Sequence, residues 1–304
     1  MSAVVEADGI GSRALPVTPA QELASTFECD GDILIAITHR PAVCRRQGVL
    51  IVVGGPQYRA GSHRQFTLLS RDLAEQGVAS MRFDYRGMGD SAGAACAFEQ
   101  INSDIRAAVD HFLSQAPGVE EVVLWGLCDA ASAALFYAHQ DERVSGLVLL
   151  NPWIRTTSGE AKAYLRHYYV RRFLDRGFWM KAIGGRLAFG QSLRGLWKNV
   201  RAAGGAAMPA PAAASDQSHD SAALPARMLE GFRRFRGRVL LVLSGNDLTA
   251  QEFLDLVGSS RDWQRALAAE RVTRVDLPDA NHTFSTRIWR DRVAASTAQW
   301  VTSW

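Results

Sequence analysis

Cysteine is scarce in this chain. The four present (Cys29, Cys44, Cys96 and Cys128) stand far apart, with no C-x-x-C pair and no histidine at ligand spacing. Neither a zinc centre nor a disulfide scaffold is therefore expected, and the thiols should be reduced. Long apolar runs are missing as well. The longest uncharged one, Val144 to Ile154, has 11 residues, about half of what a helix needs to cross a bilayer, so it reads as a core strand and no transmembrane segment is expected. The amino terminus, Met1-Ser-Ala-Val-Val-Glu-Ala-Asp, has early acids and neither a basic region nor an apolar core, so a secretory signal is not expected and the default compartment is cytoplasmic. Nor does one sign of charge dominate: 34 basic residues against 31 acidic give a net +3, which over the whole molecule implies no nucleic-acid partner.

What is present is an ordinary globular composition, 47% hydrophobic and 21% charged over 304 residues, enough for one large α/β domain. Residues 1–24 carry Gly, Pro, Ser and Ala without periodicity and read as a flexible leader. Beyond them, β-rich runs (32–38, 48–53, 78–84, 119–125, 144–151, 238–244 and 271–277) alternate with amphipathic stretches (63–76, 101–115, 129–139, 252–269 and 287–304). Runs such as Val-Leu-Ile-Val-Val and Val-Leu-Leu-Val-Leu are apolar on both faces, as a parallel sheet covered by helices on both sides requires. The spacing predicts a core over 25–151 and 238–304. The interval 152–237 breaks the alternation and is expected to be a helical lid insertion, with a low-complexity segment at 202–224.

The strongest local signal is Leu124-Trp-Gly-Leu-Cys-Asp-Ala-Ala-Ser-Ala-Ala-Leu135, an apolar strand running through Gly126-x-Cys128-x-Ala130 into an Ala-rich helix. That is the layout of a nucleophile elbow, in which a strained turn demands small neighbours two residues either side. Cys128 is then the expected nucleophile, favoured as thiolate by the helix N-terminus and opposed by the adjacent Asp129. Asp247 follows a late strand at the carboxyl edge, and His282 lies in the loop after the last strand. The order nucleophile, acid, histidine predicts a Cys128–His282–Asp247 triad in which His282 moves protons and Asp247 orients it. The Gly54-Gly55-Pro56-Gln57 turn offers the Gly55 N–H to an oxyanion, with Gln57 as the alternative donor and the Asp129 backbone N–H as the second.

These residues, with Phe83-Asp-Tyr-Arg-Gly-Met-Gly-Asp-Ser91 matching the D-x-R-G-x-G-x-S loop, resemble the α/β-hydrolase superfamily from about Thr26 onward. The resemblance implies an α/β-hydrolase fold: a mostly parallel central sheet, helices on both faces and a helical lid. More narrowly, Gly54-Gly-Pro-Gln-Tyr-Arg-Ala-Gly-Ser-His-Arg-Gln-Phe66, Arg82 to Asp90 and Asn151-Pro-Trp-Ile-Arg155 are similar to the exosortase A system-associated hydrolase 1 family. The expected activity is that of an acyl ester or thioester hydrolase working through a cysteine acyl-enzyme. An acyltransferase using the same residues, or a non-catalytic binding protein on a hydrolase fold, are the alternatives.

Between Arg155 and Arg201 eleven basic residues face two acids, a net +9. A field of that sign near an active-site mouth suits an anionic small-molecule or carrier-bound acyl substrate such as coenzyme A, a phosphopantetheine arm or an acidic saccharide. The charge run reads equally as a solvated helix face. His63, Arg64, Trp153, Arg155 and Tyr168 are the candidate substrate contacts; His63 and Arg64 read equally as surface residues. No metal or organic cofactor is implied.

Overall fold

The computed structural model describes residues 20–55, 57–154 and 224–304. It contains an eight-stranded sheet: β1 (Gln21–Cys29), β2 (Asp32–Arg40), β3 (Gln47–Val52), β4 (Ser80–Asp84), β5 (Glu121–Leu127), β6 (Val144–Leu150), β7 (Arg238–Asn246) and β8 (Val272–Asn281). The spatial order is β1-β2-β4-β3-β5-β6-β7-β8. β2 runs antiparallel to both β1 and β4, and all later pairings are parallel. The described helices are α1 (Gln65–Glu75), α2 (Asn102–Gln115), α3 (Asp129–Tyr137), α4 (Leu224–Arg234), α5 (Leu248–Ser259), α6 (Arg261–Leu267) and α7 (Arg287–Val301). This is the α/β-hydrolase fold expected from the alternation of strand and helix patterns.

Alternate residues of each central strand feed opposite cores. Leu50 and Val52 of β3, Val122 and Leu124 of β5, and Val239, Leu241 and Leu243 of β7 pack with Ile105, Phe112 and Leu135 of α2 and α3. Val49 and Ile51, Val123 and Trp125, and Leu240 and Val242 point the other way, onto Phe66, Leu69 and Leu73 of α1 and Val293 and Ala298 of α7. Each such side chain contributes about 1.5–3 kcal/mol by leaving water. The two-sided burial explains why these strands are continuous apolar runs.

Three boundaries differ from the sequence expectations. The leader was expected to extend to residue 24, but β1 begins at Gln21. Its side chains alternate in exposure, and the Asp30-Gly31 turn, with φ of 51° and 90°, joins it to β2 as a two-residue hairpin. The interval 152–237 was expected to be lid throughout, but its last described part is α4, a core helix. Met228 and Phe232 are buried with Leu135 and Phe136, and a Cβ on Gly231 would lie 2.2 Å from the Leu135 carbonyl oxygen. The rest of that interval, with Arg155 and Tyr168, lies outside the described residues. The helix expected over 252–269 is two helices, α5 and α6, separated at Ser260, whose hydroxyl accepts the Trp263 N–H and caps α6. Among the described residues no helix is long and apolar enough to cross a membrane.

The β1–β2–β4 edge holds a charge cluster in which His39 and Arg82 are buried and Glu22 reaches the surface. His39 is 3% exposed and lies 3.4 Å from Glu22, which also takes a 2.7 Å ion pair from Arg82. Burial is the largest influence on His39 and pushes its imidazole down to about 4; Arg82 and Arg71 push the same way, while Glu22 opposes them. Below pH 6.5 the unfolded chain therefore binds a proton that the folded chain refuses. Stability falls as pH drops from 6.5 toward 4 and this contribution levels off below 4. Urea unfolding at pH 6.5 and 4.5 should show a loss about 2 kcal/mol larger in the wild type than in His39→Gln; equal losses would refute the assignment.

Candidate active site

β5 delivers the chain to Cys128, whose backbone sits at φ 64°, ψ −124°, a region costly for any side chain. The strain is held from both sides. The Cys128 N–H donates to the Leu150 carbonyl at 2.9 Å, and the Cys128 carbonyl accepts from Trp153 at 3.2 Å and Ala131 at 3.1 Å. The turn is tight enough that a Cβ on Gly126 would lie 2.6 Å from the Ala130 carbonyl, so glycine at 126 is a steric requirement. α3 starts at the next residue, Asp129.

β7 ends at Asn246, and Asp247 caps α5, its carboxylate accepting the N–H groups of Thr249 (3.2 Å) and Ala250 (3.3 Å). The same Oδ2 that takes the Ala250 N–H lies 2.9 Å from His282 Nδ1. A carboxylate oxygen only accepts, so Nδ1 is the donor of this bond and Nε2 is the ring nitrogen left facing away from Asp247. Asp247 is 6% exposed and His282 35%: the acid is shielded and the base opens to the site. Asp276 of β8 pairs with Arg274 at 2.9 Å on the surface and takes no part in this arrangement.

Asn151 was not singled out from the sequence as a site residue, yet it organises this edge. Fully buried at φ 43°, it donates from Nδ2 to Ser244 Oγ (2.7 Å) and to the His282 carbonyl (3.3 Å), while Oδ1 accepts the Ser244 N–H at 2.9 Å. One amide thus ties the end of β6 to β7 and to the histidine loop. The available signal was a lone polar residue closing the apolar run Val-Leu-Leu-Asn-Pro. A second device shapes the loop locally: Asn281 Oδ1 accepts the Ser285 N–H at 3.1 Å and Nδ2 donates to Ser285 Oγ at 2.8 Å.

The expected oxyanion donors are placed differently from the expectation. The Gly55 N–H, with Gly55 at φ 58°, donates to Asp129 Oδ2 at 2.9 Å, and Asp129 Oδ1 accepts the Ala130 N–H at 2.9 Å. The Gly55 donor is thus engaged by a carboxylate. Burial raises the Asp129 carboxyl above its ordinary value, while the N–H groups of Gly55, Ala130 and Asp129 itself, and the nearby His282, pull it back. The Gln57 side chain braces its own loop, its Oε1 accepting from Ser62 N–H (3.2 Å) and Gln65 Nε2 (3.4 Å).

His63 and Arg64 were expected to open the first helix. They precede it instead, both exposed and both left-handed (φ 53° and 60°), and α1 starts at Gln65. Trp153 is partly buried beside the elbow, and its carbonyl accepts the Ser132 hydroxyl at 2.6 Å. The Asp84–Ser91 loop is architectural: buried Asp84 is paired by the Arg59 guanidinium and accepts the Arg59 N–H at 2.6 Å, and Ser91 Oγ donates to the Asp84 carbonyl at 2.6 Å.

A family model described as serine aminopeptidase, S33, matches residues 45–283. No curated protein matches the chain in sequence. Among solved structures, the chain is similar to the Pyrococcus furiosus esterase Pf2001 (TM-score 0.61, 13% identity, 94% of this chain and 93% of that one). It is similar also to Est1E from Butyrivibrio proteoclasticus, solved with ferulic acid bound (0.60, 16%, 91% and 97%). XC6422 from Xanthomonas campestris, described as an α/β serine hydrolase without lid, aligns at 0.55 and 16% over 95% of this chain and 100% of that one. At these identities the structures share the fold, and it is the family match that bears on mechanism.

That match corrects the expected mechanism. The cysteine nucleophile and the Cys-His-Asp triad are overturned in favour of the serine-type chemistry, with a Ser-His-Asp triad, to which the family points. Position 128 of this chain holds cysteine in the place of that serine. The physical reason lies in the next residue: an anionic thiolate at 128 would stand beside the Asp129 carboxylate, and like charges oppose ionisation. The elbow geometry, rather than the residue type at its tip, is the feature that agrees with the family.

Proposed function

The chain belongs to the serine aminopeptidase, S33, family of α/β-hydrolases, and from that membership we propose that it hydrolyses acyl esters with His282 as the base and Asp247 as its orienting acid. The observation that carries this reading is the 2.9 Å bond between His282 Nδ1 and a helix-capping Asp247, set at the same sheet edge as a strained strand-to-helix elbow. Nε2 of His282 accepts the proton of the attacking nucleophile and gives it to the leaving alkoxide, then serves the water that releases the acid in the same way, while Asp247 holds the tautomer and stabilises the imidazolium. The backbone N–H groups of Asp129 and Gly55, with Gln57 as the alternative, are the proposed donors to the developing oxyanion.

Residue 128 is the position from which the family's hydroxyl attacks. Cys128→Ser, which supplies that hydroxyl, is expected to hydrolyse p-nitrophenyl acetate roughly fivefold faster or more, read as kcat/KM. A folded Cys128→Ser variant slower than the wild type would reject the serine-type reading.

The narrower substrate reading draws on the sequence. The net +9 between Arg155 and Arg201 favours an anionic acyl group or carrier, such as a coenzyme A or phosphopantetheine thioester or an acidic saccharide ester, with His63, Arg64, Trp153, Arg155 and Tyr168 as contacts. The 54–66, 82–90 and 151–155 motifs favour a place among the exosortase A system-associated hydrolases.

A further inference from the structure

Two backbone N–H groups converge on one carboxylate. Gly55 reaches Asp129 Oδ2 at 2.9 Å and Ala130 reaches Oδ1 at 2.9 Å. One of the two, Gly55, is a donor offered above to the oxygen that turns negative during attack. A carboxylate oxygen and a tetrahedral oxyanion make the same demand on such donors, namely short N–H bonds to a negative oxygen. The Gly55 N–H cannot satisfy both at once.

The loop is built around this placement. A Cβ on Gly54 would lie 2.2 Å from Asp129 Oδ1, 2.9 Å from the Ala130 nitrogen and 2.9 Å from the Leu127 carbonyl oxygen. Gly54 itself has no unusual φ, so the demand for glycine there is steric: it is the residue that lets the Asp129 carboxylate lie flat against the β3–α1 connection. Glycine at 54 and aspartate at 129 therefore answer one another, one from each side of the donor pair.

We propose that the Asp129 carboxylate is a built-in oxyanion surrogate: it occupies the Gly55 side of the oxyanion site in the resting protein, and a substrate carbonyl gains the Gly55 N–H donor only when this side chain withdraws. The proposal rests on the ester-hydrolase reading for its kinetic consequence, and on the hydrogen-bond geometry alone for its structural one. Withdrawal breaks charge-assisted bonds, so residue 129 sets how much of the catalytic power of the site is spent on opening it. The backbone donors are unchanged by substitution of this side chain, which makes the idea testable without dismantling the site.

Two readouts test it on the full-length protein. The first is kcat/KM for p-nitrophenyl acetate: Asp129→Ala is expected to gain about tenfold or more, and Asp129→Asn less, because an amide keeps an oxygen acceptor but loses the charge. The second is the amide resonances of Gly55 and Ala130 in ¹⁵N–¹H spectra. They should lie downfield in the wild type, move upfield in Asp129→Ala and return when sodium acetate is titrated into that variant, with no response to acetate in the wild type. Unchanged amide positions in both variants, or amides that move in Asp129→Ala but ignore acetate, overturn the proposal. A His282-dependent hydrolysis that falls in both Asp129 variants also overturns it while leaving the hydrolase reading intact. Hydrolysis indifferent to His282→Ala fails the hydrolase reading instead, and the amide titration then decides the surrogate by itself.

Discussion

Replacing His282 with alanine is expected to lower kcat/KM for p-nitrophenyl ester hydrolysis by about 10²–10⁴-fold, the usual worth of a positioned general base. The folded state should hardly notice. The imidazole is about one-third exposed, and the loop that carries it is tied by its backbone, through Asn151 Nδ2 to the His282 carbonyl and through the Asn281–Ser285 turn. Asp247 keeps its bonds to Thr249 and Ala250 when the imidazole is gone, so α5 stays capped. Asp247→Asn is the informative companion. It preserves an oxygen for the cap, but its amide gives Nδ1 a less effective partner and supplies no charge for the imidazolium, so activity should fall with little change in the unfolding midpoint. A His282→Ala protein that keeps its wild-type rate removes the base from the mechanism.

The largest expected effect on stability lies away from the site, at Arg86. Asp104 is fully buried, and Arg86 meets it with three bonds: Nε at 3.0 Å, Nη2 at 2.9 Å and its own backbone N–H at 2.9 Å. The same guanidinium reaches Asp30 at the β1–β2 turn (2.8 Å) and Ser103 (2.8 Å). Arg86→Ala removes the cation and leaves a carboxylate in the core with one backbone donor, at a cost of about 3–5 kcal/mol, a large part of the ~5–15 kcal/mol a domain of this kind has in total. Guanidinium denaturation should show the midpoint falling. The Arg86→Ala/Asp104→Leu double variant should recover part of the loss, because it leaves no charge stranded. A double variant no better than the single one would mean that the penalty comes from the lost Asp30 and Ser103 contacts.

The elements legible in the sequence are those whose physics is local. β3, β5, β6 and β7 are buried on both faces and so appear as unbroken Val/Leu/Ile runs; a reader of the chain needs no tertiary information to find them. β1 hid because an edge strand buries one face only, and Glu22, Ala24, Thr26 and Glu28 between half-buried neighbours resemble a polar leader. Its signal was Asp30-Gly31, the two-residue hairpin turn. At the site, Asp247 and His282 were legible because each follows a strand end. Asn151 was not, since its role is set by β7 and by a loop 131 residues away. The glycines at 54 and 55 were legible as a backbone feature, but a motif says nothing of where the Asp129 side chain lies, and it is that side chain which takes the Gly55 N–H. Cysteine at 128 misled for a related reason: residue type was read as mechanism, whereas the strained φ and the small residues at 126 and 130 are what the fold dictates.

The Asn151 amide has a consequence for how the site is lost. The elbow hangs on the tail of β6 through Leu150 and Trp153, and the histidine loop hangs on the same tail through Asn151. Fraying of residues 150–153 releases both together, so thermal inactivation should be a single cooperative event at the β6 tail rather than a stepwise erosion of separate loops.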